Sequence, residues 1–224
     1  MKIKVCGMRE AENIRIIEKL LISHSEKINA QEAEHPYGNT PMMGFIFFPR
    51  SPRFVFQKPA YLPSGIERVG LFVNSDTKDI LPYIEEYDLS YIQLHGKETP
   101  ALCDELHQTI KVIKAFSIAG TEDVKMTEEY EGCCDLYVFD TKCESYGGSG
   151  KCFDWSLLKT YKGATPFLLS GGIGVEHAET LKAFQHPLLA GYDLNSRFET
   201  IPGTKDPQLL ETFLSKLDIQ DILK

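Results

Sequence analysis

A chain of 224 residues with 42% hydrophobic and 25% charged side chains has the material for one well-packed domain and is short for two. Its net charge of −8 argues against a general nucleic-acid binder while leaving room for a local basic pocket, and its six cysteines contain no CxxC pair of a zinc ribbon or thioredoxin-like centre. No stretch approaches the roughly 20 apolar residues of a membrane helix, and MKIKVCGMRE has no apolar segment after its lysines, so neither a membrane span nor a secretory signal is expected.

Short apolar runs recur along the chain as eight strand candidates: Ile3 to Val5, Met42 to Phe47, Arg68 to Val73, Tyr91 to Leu94, Val112 to Phe116, Leu136 to Phe139, Phe167 to Ser170 and Leu188 to Leu194. Ile14, Ile17 and Leu21 repeat at helical spacing after the first. Thr99-Pro100 and Asp206-Pro207 each place a capping residue before a proline at the first helical position. Strands alternating with helices imply parallel pairing through crossovers, and eight such units in this length point to a closed (β/α)8 TIM barrel spanning residues 1–224. An open doubly wound sheet is the competing architecture, which alternation alone does not exclude. Two places break the rhythm. Ile22 to Pro41 is a long polar connection before the second strand, expected to be a solvated loop or an extension of the helix. Phe54 to Gly65 carries Pro59 and Pro63, which leave room for a shortened second helix of a turn or two.

Side chains alternate across a strand, so residues two apart share a face. Lys4 with Cys6, Gln93 with His95, Lys114 between Val112 and Phe116, Asp140 after Leu136 and Val138, and Asp193 with Asn195 form such pairs or runs. If those faces point inward, polar groups converge at one end of the barrel, an arrangement that is costly without a use. Ser170-Gly171-Gly172-Ile173-Gly174 follows the seventh strand, where barrel enzymes often bind phosphate. A second glycine-rich segment, Tyr146 to Gly150, follows Asp140 and reads as a lid or another anion cradle.

Taken together, KVCGMR (Lys4 to Arg9), GFIFFPRSPR (Gly44 to Arg53), GLFVN (Gly70 to Asn74), QLHG (Gln93 to Gly96), FDTK (Phe139 to Lys142), GGSG (Gly147 to Gly150), SGG (Ser170 to Gly172) and DLNS (Asp193 to Ser196) resemble the phosphoribosylanthranilate isomerases of tryptophan biosynthesis, in the same order. The resemblance implies an Amadori rearrangement of N-(5-phosphoribosyl)anthranilate to 1-(2-carboxyphenylamino)-1-deoxyribulose 5-phosphate. It implies Asp140 as the acid that opens the ribose ring and Cys6 as the base that takes the proton from C2. A carboxyl group in that role must retain its proton, and a thiol must lose one, which Lys4 or Arg9 would favour. Arg53 matches the arginine that meets the anthranilate carboxylate, and Asp193 matches a position that meets the amine or orients the site. Gln93 and His95 are expected to support the pocket. Gly148, Gly171, Gly172, Asn195 and Ser196 are the candidates around phosphate.

One departure is Arg197, where the family commonly has glycine after Asn-Ser; the backbone of that loop is therefore open to question. Another sugar-phosphate isomerase or epimerase on the same barrel is the nearest rival reading, which Cys6, Arg53 and Asp140 in these contexts disfavour. A metal- or redox-responsive barrel using Cys133, Cys134, Cys143 and Cys152 is a rival of another class, and its spacing holds no tight ligand pair. A silent ligand-binding descendant is a third, opposed by the intact Cys6 and Asp140. The expected protein is a cytoplasmic isomerase with no cofactor and no metal. Its partner is a small phosphorylated substrate, with no nucleic acid or membrane, and its oligomeric state is open with a monomer favoured.

Overall fold

The computed structural model describes residues 1–31, 35–141 and 155–218, apart from the side chains of Gln31 and Thr141. Eight parallel strands close in sequence order into a barrel: β1 (Lys2–Cys6), β2 (Met42–Ile46), β3 (Glu67–Phe72), β4 (Tyr91–Leu94), β5 (Lys111–Ile118), β6 (Leu136–Thr141), β7 (Phe167–Ser170) and β8 (Leu189–Leu194). Lys4 of β1 lies opposite Met42 on one side and Asp193 on the other, so the first strand joins the last. Closure removes both sheet edges and excludes the open alternative.

Alternation then divides each strand between two layers. Met42, Val69, Tyr91, Ile113, Ala115, Leu136, Val138, Leu168 and Ala190 fill the barrel, with Cys6, Ile46 and Leu71 above them toward the strand C-termini. Val5, Phe45, Phe72, Ile92, Val112, Phe116, Phe139 and Tyr192 face the outer helical layer. The expected inward position of Lys114 is thereby corrected, because its face-mates Val112 and Phe116 point outward. Its Nζ instead donates to the carbonyls of Leu94 (3.2 Å), Gly96 (3.0 Å) and Ala115 (3.0 Å) and pairs with Glu98 at 3.1 Å. The same carboxylate accepts from the backbone N–H of Asn74 (2.7 Å) and Gly96 (2.9 Å), tying together the loops that leave β3 and β4.

The first helix, α1 (Ala11–Gln31), buries Ile14, Ile17 and Leu21 and absorbs the first half of the polar Ile22 to Pro41 stretch. Between β2 and β3 the structure departs from expectation: residues 47–66 contain no helix at all. Pro59 and Pro63 withhold backbone donors there, and the segment is held to α1 instead. Glu18 accepts from the N–H of Ser64 (2.7 Å) and Gly65 (2.9 Å) and from the Tyr61 hydroxyl, while Arg15 lies 3.7 Å over the Tyr61 ring. On the outer face of β2, Phe45 meets Tyr87 of α2 (Thr77–Tyr87) at 6.1 Å, and Phe47, just past the strand, lies 4.3 Å from the Tyr83 ring and edge-on to Tyr87 at 4.7 Å.

Both proline-marked caps form as the sequence predicts. Thr99 accepts from Leu102 N–H at the start of α3 (Pro100–His107). Asp206 accepts from Gln208 N–H (2.9 Å) as the last helix begins. The remaining helices are α4 (Thr121–Lys125), α5 (Ala178–Ala183) and α6 (Pro207–Asp218), with a 3₁₀ segment Trp155–Thr160 before β7. An unexpected antiparallel hairpin, β9 (Glu199–Ile201) and β10 (Thr204–Lys205), folds over the end of β8.

The Lys114–Glu98 pair is fully buried, and Glu98→Ala strands an ammonium without its counter-ion. It is expected to lower stability by about 3–5 kcal/mol, read as a reduced urea midpoint. An unchanged midpoint contradicts that role.

Candidate active site

The C-terminal end of the barrel opens into a cavity of about 190 Å3 lined by Cys6, Leu71, Gln93, His95, Asp140, Ser170 to Ile173, Asp193 and Asn195 to Arg197. Cys6 ends β1, opposite Gly44 of β2. A Cβ at position 44 would stand 2.7 Å from the Cys6 Sγ, so glycine there is what leaves room for the thiol. One inward position below, the buried Lys4 ammonium meets Asp193 at 2.9 Å across the β1–β8 seam. Burial opposes the charge on Lys4, but Asp193 and Cys6 outweigh it and hold its pKa above the ordinary lysine value. For Cys6 the balance falls the other way. Burial pushes the thiol pKa up, and the opposing pull of Lys4 and Lys205 does not cancel it. Lys4 therefore faces the thiol as expected, yet does not make it a resting thiolate. Arg9 does not serve that purpose either; it donates to the Pro52 carbonyl at 3.2 Å and pairs with Glu10.

Across the mouth, Asp140 at the end of β6 has its Oδ2 3.4 Å from His95 Nε2. Gln93 Nε2 lies 3.0 Å from the other ring nitrogen, His95 Nδ1, a contact whose donor depends on the imidazole tautomer. Gln93 Oε1 is buried without a partner among the described residues. The three side chains form one chain of contacts ending at the carboxylate.

The glycine cradle after β7 is present, but in a form other than a long helix start. Gly171 (φ 92°) and Gly172 (φ 64°) occupy the left-handed region and line the cavity. A 3₁₀ turn, Val175–His177, follows, and Gly174 N–H is already taken by His177 Nδ1 at 2.9 Å. The two glycines line the cavity together with Asn195 and Ser196, which follow the neighbouring strand β8. Arg197 does not strain that rim: its φ is not positive, and its guanidinium pairs with Glu176 while lining the cavity. Gly148, with the rest of the second glycine-rich segment, lies outside the described residues.

Arg53 sits at the margin rather than in the cavity lining. Its Nε is 2.8 Å from Glu199 Oε1 and its Nη2 2.6 Å from Glu199 Oε2. Lys205 Nζ bonds the same carboxylate at 2.6 Å and Asn195 Oδ1 at 2.8 Å. Sequence reasoning missed Glu199 and Lys205. Their signal was Pro202-Gly203, a turn dipeptide that brings Lys205 back beside Glu199.

The rival cysteine cluster gains no support. Cys134 packs with Cys103 in the outer layer, and Cys143 and Cys152 lie outside the described residues. Among the described residues no group of three or more His, Cys, Asp or Glu is placed to hold a metal ion, and none of their helices is long and apolar enough to cross a membrane.

A thiol and a carboxyl group share one cavity at the C-terminal mouth of a parallel barrel, beside two glycines in the left-handed region, an arrangement that belongs to the (β/α)8 barrel enzymes. The family model for N-(5'-phosphoribosyl)anthranilate (PRA) isomerase matches residues 22–216. An N-(5'-phosphoribosyl)anthranilate isomerase of Phocaeicola vulgatus is 47% identical over 97% of this chain and 98% of its own. The crystal structure of phosphoribosyl anthranilate isomerase from Thermotoga maritima superposes with a TM-score of 0.73 at 28% identity, over 97% of this chain and 98% of that one. Another structure of such an isomerase, in complex with reduced 1-(o-carboxyphenylamino)-1-deoxyribulose 5-phosphate, has a TM-score of 0.71 at 25% identity and the same coverage. The chain belongs to the N-(5'-phosphoribosyl)anthranilate isomerase family.

The raised Cys6 pKa has a direct consequence for reactivity. Alkylation of Cys6 by iodoacetamide, followed by peptide mass spectrometry, is expected to be slow at neutral pH and still to be accelerating above pH ~9, because the thiolate is the reacting form. A rate that levels off near neutrality contradicts the dominance of burial.

Proposed function

We propose that this chain converts N-(5'-phosphoribosyl)anthranilate to 1-(2-carboxyphenylamino)-1-deoxyribulose 5-phosphate with Asp140 as general acid and Cys6 as general base. The reading is supported above all by Cys6 and Asp140 lining one cavity with the Gly171-Gly172 cradle beside them.

Asp140 gives its proton to the ring oxygen as the C1–O bond breaks, and the anthranilate nitrogen lone pair forms the C1=N bond. The resulting cationic imine acidifies the C2 proton. Cys6, having first lost its own proton to solvent, takes the C2 proton as thiolate, and the C2–H electrons move into C1–C2 while the imine electrons return to nitrogen. The enolamine then gives its O2 proton to the Asp140 carboxylate and takes one at C1 from the Cys6 thiol, which gives the ketone and restores both groups. No electrons are exchanged with another molecule. A thiol whose pKa is raised by burial is scarce as thiolate but a stronger base once formed, and the developing cation beside it offsets the cost of forming it. His95, held by Gln93, fixes the direction of the acid.

Gly171, Gly172, Asn195 and Ser196 hold the phosphate through backbone and side-chain donors, with Arg197 contributing charge at the rim and Gly148 assigned to the same ligand by its sequence context. Arg53 meets the anthranilate carboxylate, and Asp193, fixed by Lys4, faces the amine. Cys6, Cys103, Cys133 and Cys134 are free thiols, which suits a cytoplasmic enzyme.

Turnover of freshly prepared N-(5'-phosphoribosyl)anthranilate, followed by loss of its fluorescence, tests the reading. Cys6→Ser and Asp140→Asn are each expected to lower kcat about a hundredfold or more while leaving the far-ultraviolet circular dichroism unchanged. Near-normal turnover by either variant removes that residue from its role, and an inactive but folded parent overturns the function.

A further inference from the structure

We infer that Glu199 is a positioning residue that holds the Arg53 guanidinium side-on and so aims its free end at the substrate carboxylate. This inference rests on the assignment of Arg53 to that carboxylate, and it concerns a group that does not itself touch substrate.

The argument begins with the donor inventory of arginine. A guanidinium carries five N–H groups in one plane. Glu199 engages Nε (2.8 and 3.0 Å) and Nη2 (2.6 Å), which is the side-on edge. Nη1 makes no hydrogen bond among the described residues, and Nη2 keeps a second N–H. The end-on fork formed by Nη1 and Nη2 is therefore open, and that fork matches the two oxygens of a planar carboxylate. One arginine thus serves two carboxylates without competition between them.

Glu199 is suited to hold rather than to react. Its side chain is 4% exposed, against 17% for Arg53, so the solvent-facing part of the pair is the arginine. Each carboxylate oxygen is already occupied: Oε1 also accepts from Lys205 Nζ at 2.6 Å and from Gly203 N–H at 3.1 Å. Burial opposes the charge on Glu199, but Arg53 and Lys205 outweigh it and keep the carboxyl below its usual range, ionised at neutral pH. The hairpin carrying it is itself fixed. Asn13 of α1 accepts from Lys205 N–H and donates to Lys205 C=O, both at 2.8 Å. The Arg53 stem in turn lies on Gly7, where a Cβ would come within 2.7 Å of its Cδ and 3.0 Å of Asn195 Oδ1. Since Gly7 directly follows Cys6, the arginine head is registered against both the base and the phosphate rim.

The test measures discrimination for the carboxylate. Affinities are compared for the reduced product analogue bearing the carboxyphenyl group and for the same compound with an unsubstituted phenyl group. Glu199→Gln keeps the shape but cannot accept at both positions, and it is expected to weaken the carboxylated analogue about tenfold while changing the phenyl analogue less than about twofold. Glu199→Asp, one methylene short, should fall between parent and Gln. In an Arg53→Ala background, Glu199→Gln should cause no further loss of discrimination, as expected for two residues acting as a unit. In the parent, the Arg53 Nε–H should give one slowly exchanging nitrogen-15 resonance before any ligand is added, a measurement that needs no variant. Equal weakening of both analogues by Glu199→Gln, or a rapidly averaged Arg53 Nε–H, overturns the positioning role. Loss of discrimination in Arg53→Ala but not in Glu199→Gln refutes Glu199 alone. Full discrimination retained in Arg53→Ala refutes the Arg53 assignment beneath it.

Discussion

Lys4 and Asp193 face each other inside the barrel, 2.9 Å apart, one on the first strand and one on the last. Two opposite charges buried at that seam need each other, because either alone would carry a large desolvation cost. Their pairing draws β1 and β8 into register and also decides what surrounds Cys6. The thiol sits above a cation that is already neutralised, so it feels burial more than attraction. The result is a thiol kept protonated in the resting protein.

Charge at the mouth is arranged in the same economical way. Lys4 is balanced by Asp193, Arg53 and Lys205 share Glu199, and Arg197 leans on Glu176. A chain of net charge −8 therefore keeps cationic groups at this end of the barrel with each cation held by a neighbouring carboxylate. The partners fix where the positive charge points, and for Arg53 they leave one edge uncommitted.

The strand core was legible because inward and outward residues alternate in runs bounded by polar turns. Tyr91–Leu94 and Phe167–Ser170 match the expected spans at both ends. The cavity residues Cys6, Gln93, His95, Asp140, Asp193 and Asn195 were legible for the same reason, since each continues an inward face to the strand end. Lys114 misled because a lysine between two apolar residues gives no sign of which layer owns the face. Only the partners of Val112 and Phe116, contributed by distant segments, decide it. The missing helix between β2 and β3 was half visible in Pro59 and Pro63, while the replacement contacts from Glu18 lie more than 40 positions away in sequence. Glu199 escaped notice because β9 and β10 are too short to show periodicity.

The helix-free stretch between β2 and β3 bears on how the barrel is put together. In an ideal eightfold arrangement each strand is covered by the helix that follows it, and every unit is a repeat of the next. Here β2 borrows its aromatic cover from the helix after β3, and the bare loop is fastened backward onto α1. The first three strands are thus linked through that loop to α1, while α1 itself packs against α6 and is bonded to the β9–β10 hairpin, so the segment ties the start of the barrel to its end. The apparent eightfold repetition of the sheet conceals an unequal division of the chain.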